Sequence, residues 1–381
     1  MLAVRYDLAK VSGVLSKDDL LRRPPGMYRF RELTPLAPNE EPITLGEGGT
    51  PLLPLPRLAR HLGLHHLWAK DEGQNPTGSF KARGLGMALT KARTLGVTGL
   101  MIPSAGNAGG AAAVYGARGG IPVAVVVPRG TPEAAVAEAI IAGAHVFTVD
   151  GSIATAGRLI AGIASKIGWF DLATLKEPYR LEGKKTMGLE LAEQLGWETP
   201  DLLMYPTGGG TGLVGIWKAF EELAAMGWIK SGQPRFIAVQ AEGCAPLVKA
   251  WEDKAETTSL WENPVTDAPG LRVPGPFAGR QMLKIMRETG GHPHAVSERA
   301  IVDAQKLLAK LEGIWTGPEA AAALAALCQM REAGVVEAGA RVVVILTGAG
   351  IKNPPPALPA PIHLEGDPAR ALDTVRRALG R

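Results

Sequence analysis

The chain has 381 residues, of which 46% are hydrophobic and 20% charged, and this composition excludes a chain that is disordered over most of its length. Lys and Arg number 41 and Asp and Glu number 37, so the net charge of +4 is too small to indicate a nucleic-acid-binding protein. The two cysteines, Cys244 and Cys328, exclude a disulfide framework and a four-cysteine zinc site, and they indicate a reducing compartment.

The sequence shows no targeting or membrane segment. The N-terminus lacks the apolar core of a signal peptide, and the longest apolar runs are far shorter than the roughly 18 residues that a membrane-spanning helix needs. The histidines are not accompanied by a metal-ligand pattern. We therefore expect a cytoplasmic protein of two or three domains that binds no membrane, no nucleic acid and no metal.

The pattern of the chain predicts a parallel α/β fold. The first 45 residues are expected to form an irregular N-terminal arm. Short apolar runs then alternate with Ala-rich helical stretches, one of which is expected to begin with Thr131 as its cap. Continuous rather than alternating apolar runs are typical of strands that are buried on both faces of a parallel sheet. The predicted strands are 100–102, 122–127, 145–149, 202–205, 235–240 and 341–346.

Lys81 is the first candidate for chemistry. Residues 70–84 run from the end of a strand through a polar turn into a helix, and Lys81 lies in the first turn of that helix. A lysine in this position opposes the helix dipole, which favours anions at the N-terminal end. An anionic ligand or a covalent bond that neutralises the lysine would resolve the conflict. The alternative is an ordinary solvated lysine.

A glycine-rich loop, Pro206-Thr-Gly-Gly-Gly-Thr-Gly212, lies between a predicted strand and a predicted helix. Consecutive glycines let several backbone N–H groups converge, and Thr207 and Thr211 add hydroxyl groups, so the loop predicts a phosphate site. Residues 210–215 also match the dinucleotide-binding pattern G-x-G-x-x-G, with Glu242 after the next strand. A nicotinamide oxidoreductase is therefore an alternative, although it leaves Lys81 unexplained.

Two further loops follow predicted strands. Ser104-Ala-Gly-Asn107 offers backbone donors and one amide side chain, and Thr347 places a hydroxyl group after the strand at 341–346. Open α/β sheets bind ligands at the carboxyl ends of their strands. We therefore expect these loops, the glycine-rich loop and Lys81 to surround one site.

Together these segments resemble the fold type II pyridoxal-phosphate enzymes, the tryptophan-synthase-β-like group, and within it the threonine synthases. The resemblance extends from residue 2 to about Lys352. Leu45-Gly-Glu-Gly-Gly-Thr-Pro-Leu52 is similar to the family's opening motif, and the segment Asn75-Pro-Thr-Gly-Ser-Phe-Lys-Ala-Arg-Gly84 is highly specific. The resemblance implies an α/β fold of two domains with parallel twisted sheets and the cofactor in the cleft between them. Its smaller, mobile α/β domain would be residues 73–149, and its larger cofactor-binding domain residues 1–72 and 150–381, with a homodimer as the assembly.

The resemblance also implies pyridoxal 5'-phosphate as the cofactor and Lys81 as the catalytic lysine that binds it covalently. Asn107 would lie beside the ring hydroxyl of the cofactor, and Thr347 beside its pyridine nitrogen. A neutral hydroxyl at that nitrogen suits elimination and replacement chemistry rather than transamination. The cofactor phosphate would be held by Thr207, Gly208, Gly209, Gly210, Thr211 and Gly212. The substrate carboxylate would be held by Ser104, Ala105, Gly106 and Asn107.

The implied activity is that of a lyase in amino-acid biosynthesis, a threonine synthase that converts O-phosphohomoserine and water into threonine and phosphate. A second anion site would then be built from Arg83, Arg180 and one of Lys184 and Lys185, since these side chains suit phosphate. The alternative is that Arg180 pairs with Glu177 or Glu182, and that the two lysines are solvated.

Several positions depart from the threonine synthase pattern. Ala82 stands where an aspartate is usual, Ala108-Gly109 where threonine and serine are usual, and Glu177 where an asparagine is usual. The glycine-rich loop has no asparagine, as in serine/threonine dehydratases. A dehydratase, another β-elimination or β-replacement enzyme, and a catalytically silent binding protein therefore stay open as alternatives.

Overall fold

The computed structural model describes residues 2–230, 232–364 and 366–379. Its strands are β1 (Leu52–Pro54), β2 (His66–Asp71), β3 (Leu100–Pro103), β4 (Val123–Pro128), β5 (His145–Val149), β6 (Phe170–Asp171), β7 (Leu202–Pro206), β8 (Arg235–Ala241), β9 (His292–Val296) and β10 (Arg341–Leu346). Its helices are α1 (Leu8–Val14), α2 (Lys17–Arg22), α3 (Pro56–Leu62), α4 (Lys81–Thr94), α5 (Asn107–Gly119), α6 (Glu133–Ile141), α7 (Ile153–Ile163), α8 (Tyr179–Gln194), α9 (Thr211–Ala225), α10 (Pro246–Glu252), α11 (Gly279–Thr289), α12 (Glu298–Glu312), α13 (Pro318–Glu332) and α14 (Pro368–Leu379).

The larger sheet has the strand order β1-β2-β10-β7-β8-β9, and every pairing in it is parallel except that of β1 with β2. Strands β2, β10 and β7 are neighbours, so their carboxyl ends lie at one edge. The loops that follow them begin at Glu72, Thr347 and Thr207, which brings the segment before Lys81, the hydroxyl of Thr347 and the glycine-rich loop to the same edge of the sheet.

Helices cover both faces of the larger sheet, which explains its continuously apolar strands. One face packs against α8, α9, α11 and the N-terminal arm. The other face packs against α3, α12 and α13, and the alanines of α13 at 320–323 and 325–326 are buried there. Small side chains let α13 approach the sheet closely.

The smaller sheet has the order β5-β4-β3-β6 and is parallel throughout. Helices α4, α5 and α6 pack on one face and α7 on the other. The predicted boundary at residue 149 divides this unit, because β6 pairs with β3 and α7 packs on β3 and β4. The α/β architecture with parallel sheets is confirmed, and the domain limits themselves stay a prediction.

The N-terminal arm is more regular than its weak periodicity indicates. It contains α1, α2 and a 3₁₀-helix at Met27–Leu33, and α2 begins with a capping box between Ser16 and Asp19. The predicted cap at Thr131 is wrong. Helix α6 begins at Glu133, and the Thr131 hydroxyl instead donates to the Pro128 carbonyl at 2.8 Å, which closes a turn before the helix.

Within the described ranges, none of the helices is both long and apolar enough to cross a membrane.

Candidate active site

The segment that carries Lys81 is attached to the segment that carries Thr347. The Phe80 N–H donates to the Thr347 carbonyl at 3.0 Å, and the Ala349 N–H donates to the Gly78 carbonyl at 2.9 Å. Ser79 and Gly348 form an antiparallel bridge between these two bonds. The backbone therefore fixes the start of α4 against the end of β10, as the strand-end argument predicts.

Lys81 is the first residue of α4, which has no side-chain cap. Burial lowers the pKa of Lys81 to about 8, an effect that Glu319 opposes and Arg180 reinforces. Among the residues that the structure describes, none forms a hydrogen bond or an ion pair with its amine, which lies 4.2 Å from the centroid of the Phe80 ring. With this pKa, about a tenth of the amine is unprotonated at pH 7.

The glycine-rich loop joins β7 to α9 and is held at its start by the Thr207 N–H, which donates to the Val239 carbonyl at 2.7 Å. The Thr207 hydroxyl donates to the Tyr205 carbonyl at 2.9 Å, so it organises the loop from behind. Gly210 has a φ of 82°, a left-handed conformation that favours glycine.

Three glycines of this loop have no room for a side chain. A Cβ would overlap the Gly270 carbonyl at Gly208, the Met282 sulfur at Gly210 and the Tyr205 hydroxyl at Gly212. Gly209 differs, because the nearest atom to its Cβ would be a Thr174 methyl carbon at 3.5 Å. The loop can therefore present its backbone N–H groups and the start of α9 to an anion.

The loop between β3 and α5 is held together by Ser104. Its hydroxyl donates to the Gly106 carbonyl and accepts from the Gly109 N–H, both at 2.8 Å. The hydroxyl expected to hold the substrate carboxylate is thus engaged within the loop, while Ala105, Gly106 and Asn107 are half-buried. Asn107 begins α5, and a Cβ on Gly348 would lie 3.5 Å from its amide nitrogen, so this loop meets the Thr347 segment.

Arg180 and Lys184 bring buried positive charge to the site from α8. The Arg180 side chain donates through Nε to Glu177 at 2.8 Å, which is the pairing that the alternative interpretation expected. Its Nη2 is nevertheless buried with no hydrogen-bond partner among the described residues. The Lys184 amine donates to the Thr211 hydroxyl at 2.5 Å. Burial lowers its pKa well below the usual value, and Lys81 and Arg180 lower it further.

Arg83 and Lys185, expected beside them, lie in other networks. The Arg83 guanidinium pairs with Glu72 at 2.6 Å and Glu190 at 2.7 Å, and these two carboxylates raise its pKa despite its burial. Lys185 pairs with Glu182 at 2.9 Å and Glu222 at 2.6 Å. Their charges are satisfied by carboxylates of the fold, so the structure does not bring them into the second anion site.

Three residues that were not predicted to belong to the site lie in its surroundings. Glu319, at the start of α13, accepts from the Gly270 N–H at 2.8 Å. Its negative charge partly opposes the lowering of the Lys81 pKa by burial. The Tyr205 hydroxyl is buried, has no hydrogen-bond partner in the described part of the chain, and faces Gly212. The Phe80 ring lies 4.2 Å from the Lys81 amine and 5.1 Å from that of Lys184. The one sequence signal was the adjacency of Phe80 to Lys81.

These observations fit pyridoxal phosphate. Its phosphate would bind at the glycine-rich loop and the positive N-terminal end of α9. Its aldehyde would meet the Lys81 amine, which is partly unprotonated. The Tyr205 hydroxyl, buried beside Gly212 of this loop, is a polar atom that a bound polar molecule would satisfy. The residues present would thus hold the group at Lys81, Asn107, Thr347 and the loop 207–212.

The sequence of this chain is similar to those of known pyridoxal-phosphate enzymes. A family model described as pyridoxal-phosphate dependent enzyme matches residues 43–348. The threonine synthase of Methanocaldococcus jannaschii is 35% identical over 383 residues, covering 100% of this chain and 93% of the relative. The threonine synthase of Methanosarcina acetivorans is 38% identical over 355 residues, which cover 93% of this chain and 86% of that relative.

Solved structures share the fold. The processed form of threonine deaminase isoform 2 from Solanum lycopersicum has a TM-score of 0.69 and 21% identity, covering 91% of this chain and 91% of that one. A fungal L-serine ammonia-lyase from Rhizomucor miehei has a TM-score of 0.70 and 24% identity, covering 81% and 95%. The family match decides between the two interpretations of the glycine-rich loop in favour of pyridoxal phosphate. The chain therefore belongs to the family of pyridoxal-phosphate dependent enzymes.

Proposed function

We propose that this protein is a threonine synthase, which converts O-phosphohomoserine and water into threonine and phosphate. Relatives with that activity match over most of the chain. The observation that carries the proposal is the buried Arg180 Nη2, which has no partner among the described residues although the rest of the side chain is fixed by Glu177. A substrate with a second anionic group would supply that partner, whereas serine and threonine would not.

Lys81 is the base of the proposed reaction. Pyridoxal phosphate, when bound, supplies an electron sink for negative charge at the substrate Cα. The amine of Lys81 accepts a proton from Cα and then one from Cβ as phosphate leaves Cγ, and a pKa of about 8 suits this role near neutral pH. Cγ then gains a proton and becomes the methyl group. Water adds its hydroxyl at Cβ, Cα regains a proton, and the remaining proton of the water goes to the released phosphate.

The surrounding loops orient the substrate and the cofactor. We assign the substrate carboxylate to the backbone of Ala105 and Gly106 and the N-terminus of α5, since Ser104 is engaged within the loop. Asn107 and Thr347 keep their proposed places at the cofactor ring. The loop from Thr207 to Gly212 keeps its proposed place at the cofactor phosphate.

Arg180 is assigned to the substrate phosphate. Its guanidinium is planar, and Nη2 carries two in-plane N–H groups that can donate to phosphate oxygens. A bound phosphate would accept hydrogen bonds from Nη2, the donor that Glu177 leaves without a partner among the described residues. We further propose that the enzyme is cytoplasmic. We also propose that it acts as a homodimer, and size-exclusion chromatography with light scattering would test this assembly.

The experiment compares products. The purified protein with cofactor is given O-phosphohomoserine, threonine and serine in turn, and phosphate, threonine and 2-oxo acids are measured. We expect equal amounts of phosphate and threonine from O-phosphohomoserine. The absence of phosphate release, together with 2-oxo acid from threonine or serine, would contradict the proposal and identify a dehydratase.

Arg180→Ala sharpens this comparison. It should lower kcat/KM for O-phosphohomoserine by about 100-fold, or roughly 2.7 kcal/mol, because the charge that binds the phosphate is lost. Any side elimination from unphosphorylated serine should change little. Arg180→Lys, which keeps the charge, serves as the matched control and should retain part of the activity.

A further inference from the structure

Lys184 and Lys185 are adjacent lysines on α8 with opposite surroundings. Lys185 is enclosed by two carboxylates, Glu182 at 2.9 Å and Glu222 at 2.6 Å. Lys184 is 4% exposed, yet among the described residues no carboxylate oxygen lies within 4.0 Å of its amine. The fold therefore gives Lys185 two ion-pair partners and gives Lys184 none among the described residues, where Glu177 acts on it only from a longer distance.

Gly84 and Thr211 determine where the Lys184 side chain lies. A Cβ on Gly84 would lie only 3.1 Å from Lys184 Cε, so the glycine lets the lysine stem cross α4. The amine then reaches the Thr211 hydroxyl at 2.5 Å. Thr211 is the first residue of α9 and closes the glycine-rich loop, so the lysine points to that loop.

A buried amine without a counter-ion is unfavourable when protonated, and the pKa of Lys184 is accordingly depressed. An anion in the glycine-rich loop would remove this penalty. An ammonium group has three N–H donors, and Thr211 uses one of them, so further donors are available for phosphate oxygens. The phosphate that belongs in this loop is that of the cofactor.

We propose that Lys184 binds the phosphate group of pyridoxal phosphate, together with the Thr211 hydroxyl and the backbone of Gly208–Gly212. This differs from the expectation that Lys184 holds the substrate anion, and it leaves Arg180 as the cation for the substrate. It does not depend on which amino acid the enzyme uses.

The test compares two ligands that differ only in the phosphate. Dissociation constants for pyridoxal phosphate and for pyridoxal are measured by equilibrium dialysis with the wild type, Lys184→Met and Lys184→Arg. Lys184→Met should weaken pyridoxal phosphate binding at least tenfold and pyridoxal binding less than twofold. Lys184→Arg should weaken pyridoxal phosphate binding less than Lys184→Met does, because arginine keeps a positive charge at the loop.

Lys284→Met, which removes an exposed charge from α11, is the control for general electrostatics and should change neither constant. Thermal unfolding of the apoproteins shows whether each variant folds, and Lys184→Gln serves in place of Lys184→Met if the latter does not. Equal weakening of both ligands would overturn the proposal. So would unchanged pyridoxal phosphate binding accompanied by weaker binding of O-phosphohomoserine.

Discussion

Glu177 accepts two hydrogen bonds from Arg180, one from Nε at 2.8 Å and one from the backbone N–H at 2.9 Å. The first bond orients the guanidinium and the second satisfies an N–H in the first turn of α8, which begins at Tyr179. Because both bonds avoid Nη2, Glu177 fixes the direction of Arg180 and leaves a donor free. A carboxylate beside a proposed phosphate site thus has a positioning role.

Replacing Glu177 tests this role. Glu177→Ala should raise KM for O-phosphohomoserine about tenfold and change kcat little, because an interaction that binds substrate and transition state alike is weakened. Glu177→Gln, whose amide oxygen can still accept one of the bonds, should recover part of the loss. Steady-state kinetics gives both constants. A lower KM in Glu177→Ala would contradict the positioning role and show that the carboxylate repels the substrate phosphate.

The glycine-rich loop offers a matched pair of substitutions. Gly209→Val should destabilise the apoprotein less than Gly212→Ala does, because the nearest atom to its Cβ would be Thr174 Cγ2 at 3.5 Å. We expect it to lower cofactor affinity at least tenfold, about 1.4 kcal/mol, by blocking approach to the backbone. Gly212→Ala should instead destabilise the apoprotein, since its Cβ would overlap the Tyr205 hydroxyl. Unchanged cofactor affinity in Gly209→Val would argue against a phosphate at this loop.

The pKa of Lys81 predicts how cofactor capture depends on pH. Only the unprotonated amine attacks the aldehyde, so below pH 8 the rate should rise about tenfold per pH unit and level off above pH 8. An ordinary lysine, with a pKa of 10.5, would keep accelerating well above pH 9. Stopped-flow absorbance of the apoenzyme mixed with pyridoxal phosphate measures this rate. A plateau that begins only near pH 10 would contradict the buried environment of Lys81.

Arg83 should matter for stability rather than for substrate binding. It is fully buried between Glu72 and Glu190, so Arg83→Met leaves two buried carboxylates short of a partner and should cost about 3–5 kcal/mol of unfolding free energy in urea. Arg280→Met, which breaks an exposed pair with Glu256, is the control and should have little effect. A stable Arg83→Met protein with a raised KM would contradict this structural role and support a role of Arg83 in substrate binding.

The parts of the site that could be predicted from the sequence are those set by local pattern. Lys81 at a helix start, glycines between a strand and a helix, and Thr347 after a buried strand are short-range features, and parallel pairing brings strand ends to one edge. The strands β1, β6 and β9 and the arm helices were missed, although Ser16 and Asp19 carry the pattern of a capping box.

The parts that could not be predicted depend on distant partners. Arg83 resembles a free cation in the sequence, yet one of its carboxylates, Glu190, is 107 residues away. Lys184 and Lys185 are adjacent and alike in sequence, and only the packing of α8 between α4 and α9 separates their surroundings. Glu319 looks like an ordinary helix-start residue, and only the fold places it near Lys81.

Lys81 is proposed to bind pyridoxal phosphate covalently, and mass spectrometry of the borohydride-reduced holoenzyme identifies the residue that is attached. We expect one modified peptide, with the mass of the reduced cofactor on Lys81. We also expect Lys81→Ala to lose this label while still binding the cofactor weakly through the glycine-rich loop. A label on Lys184 instead, or full activity in Lys81→Ala, would contradict this proposal.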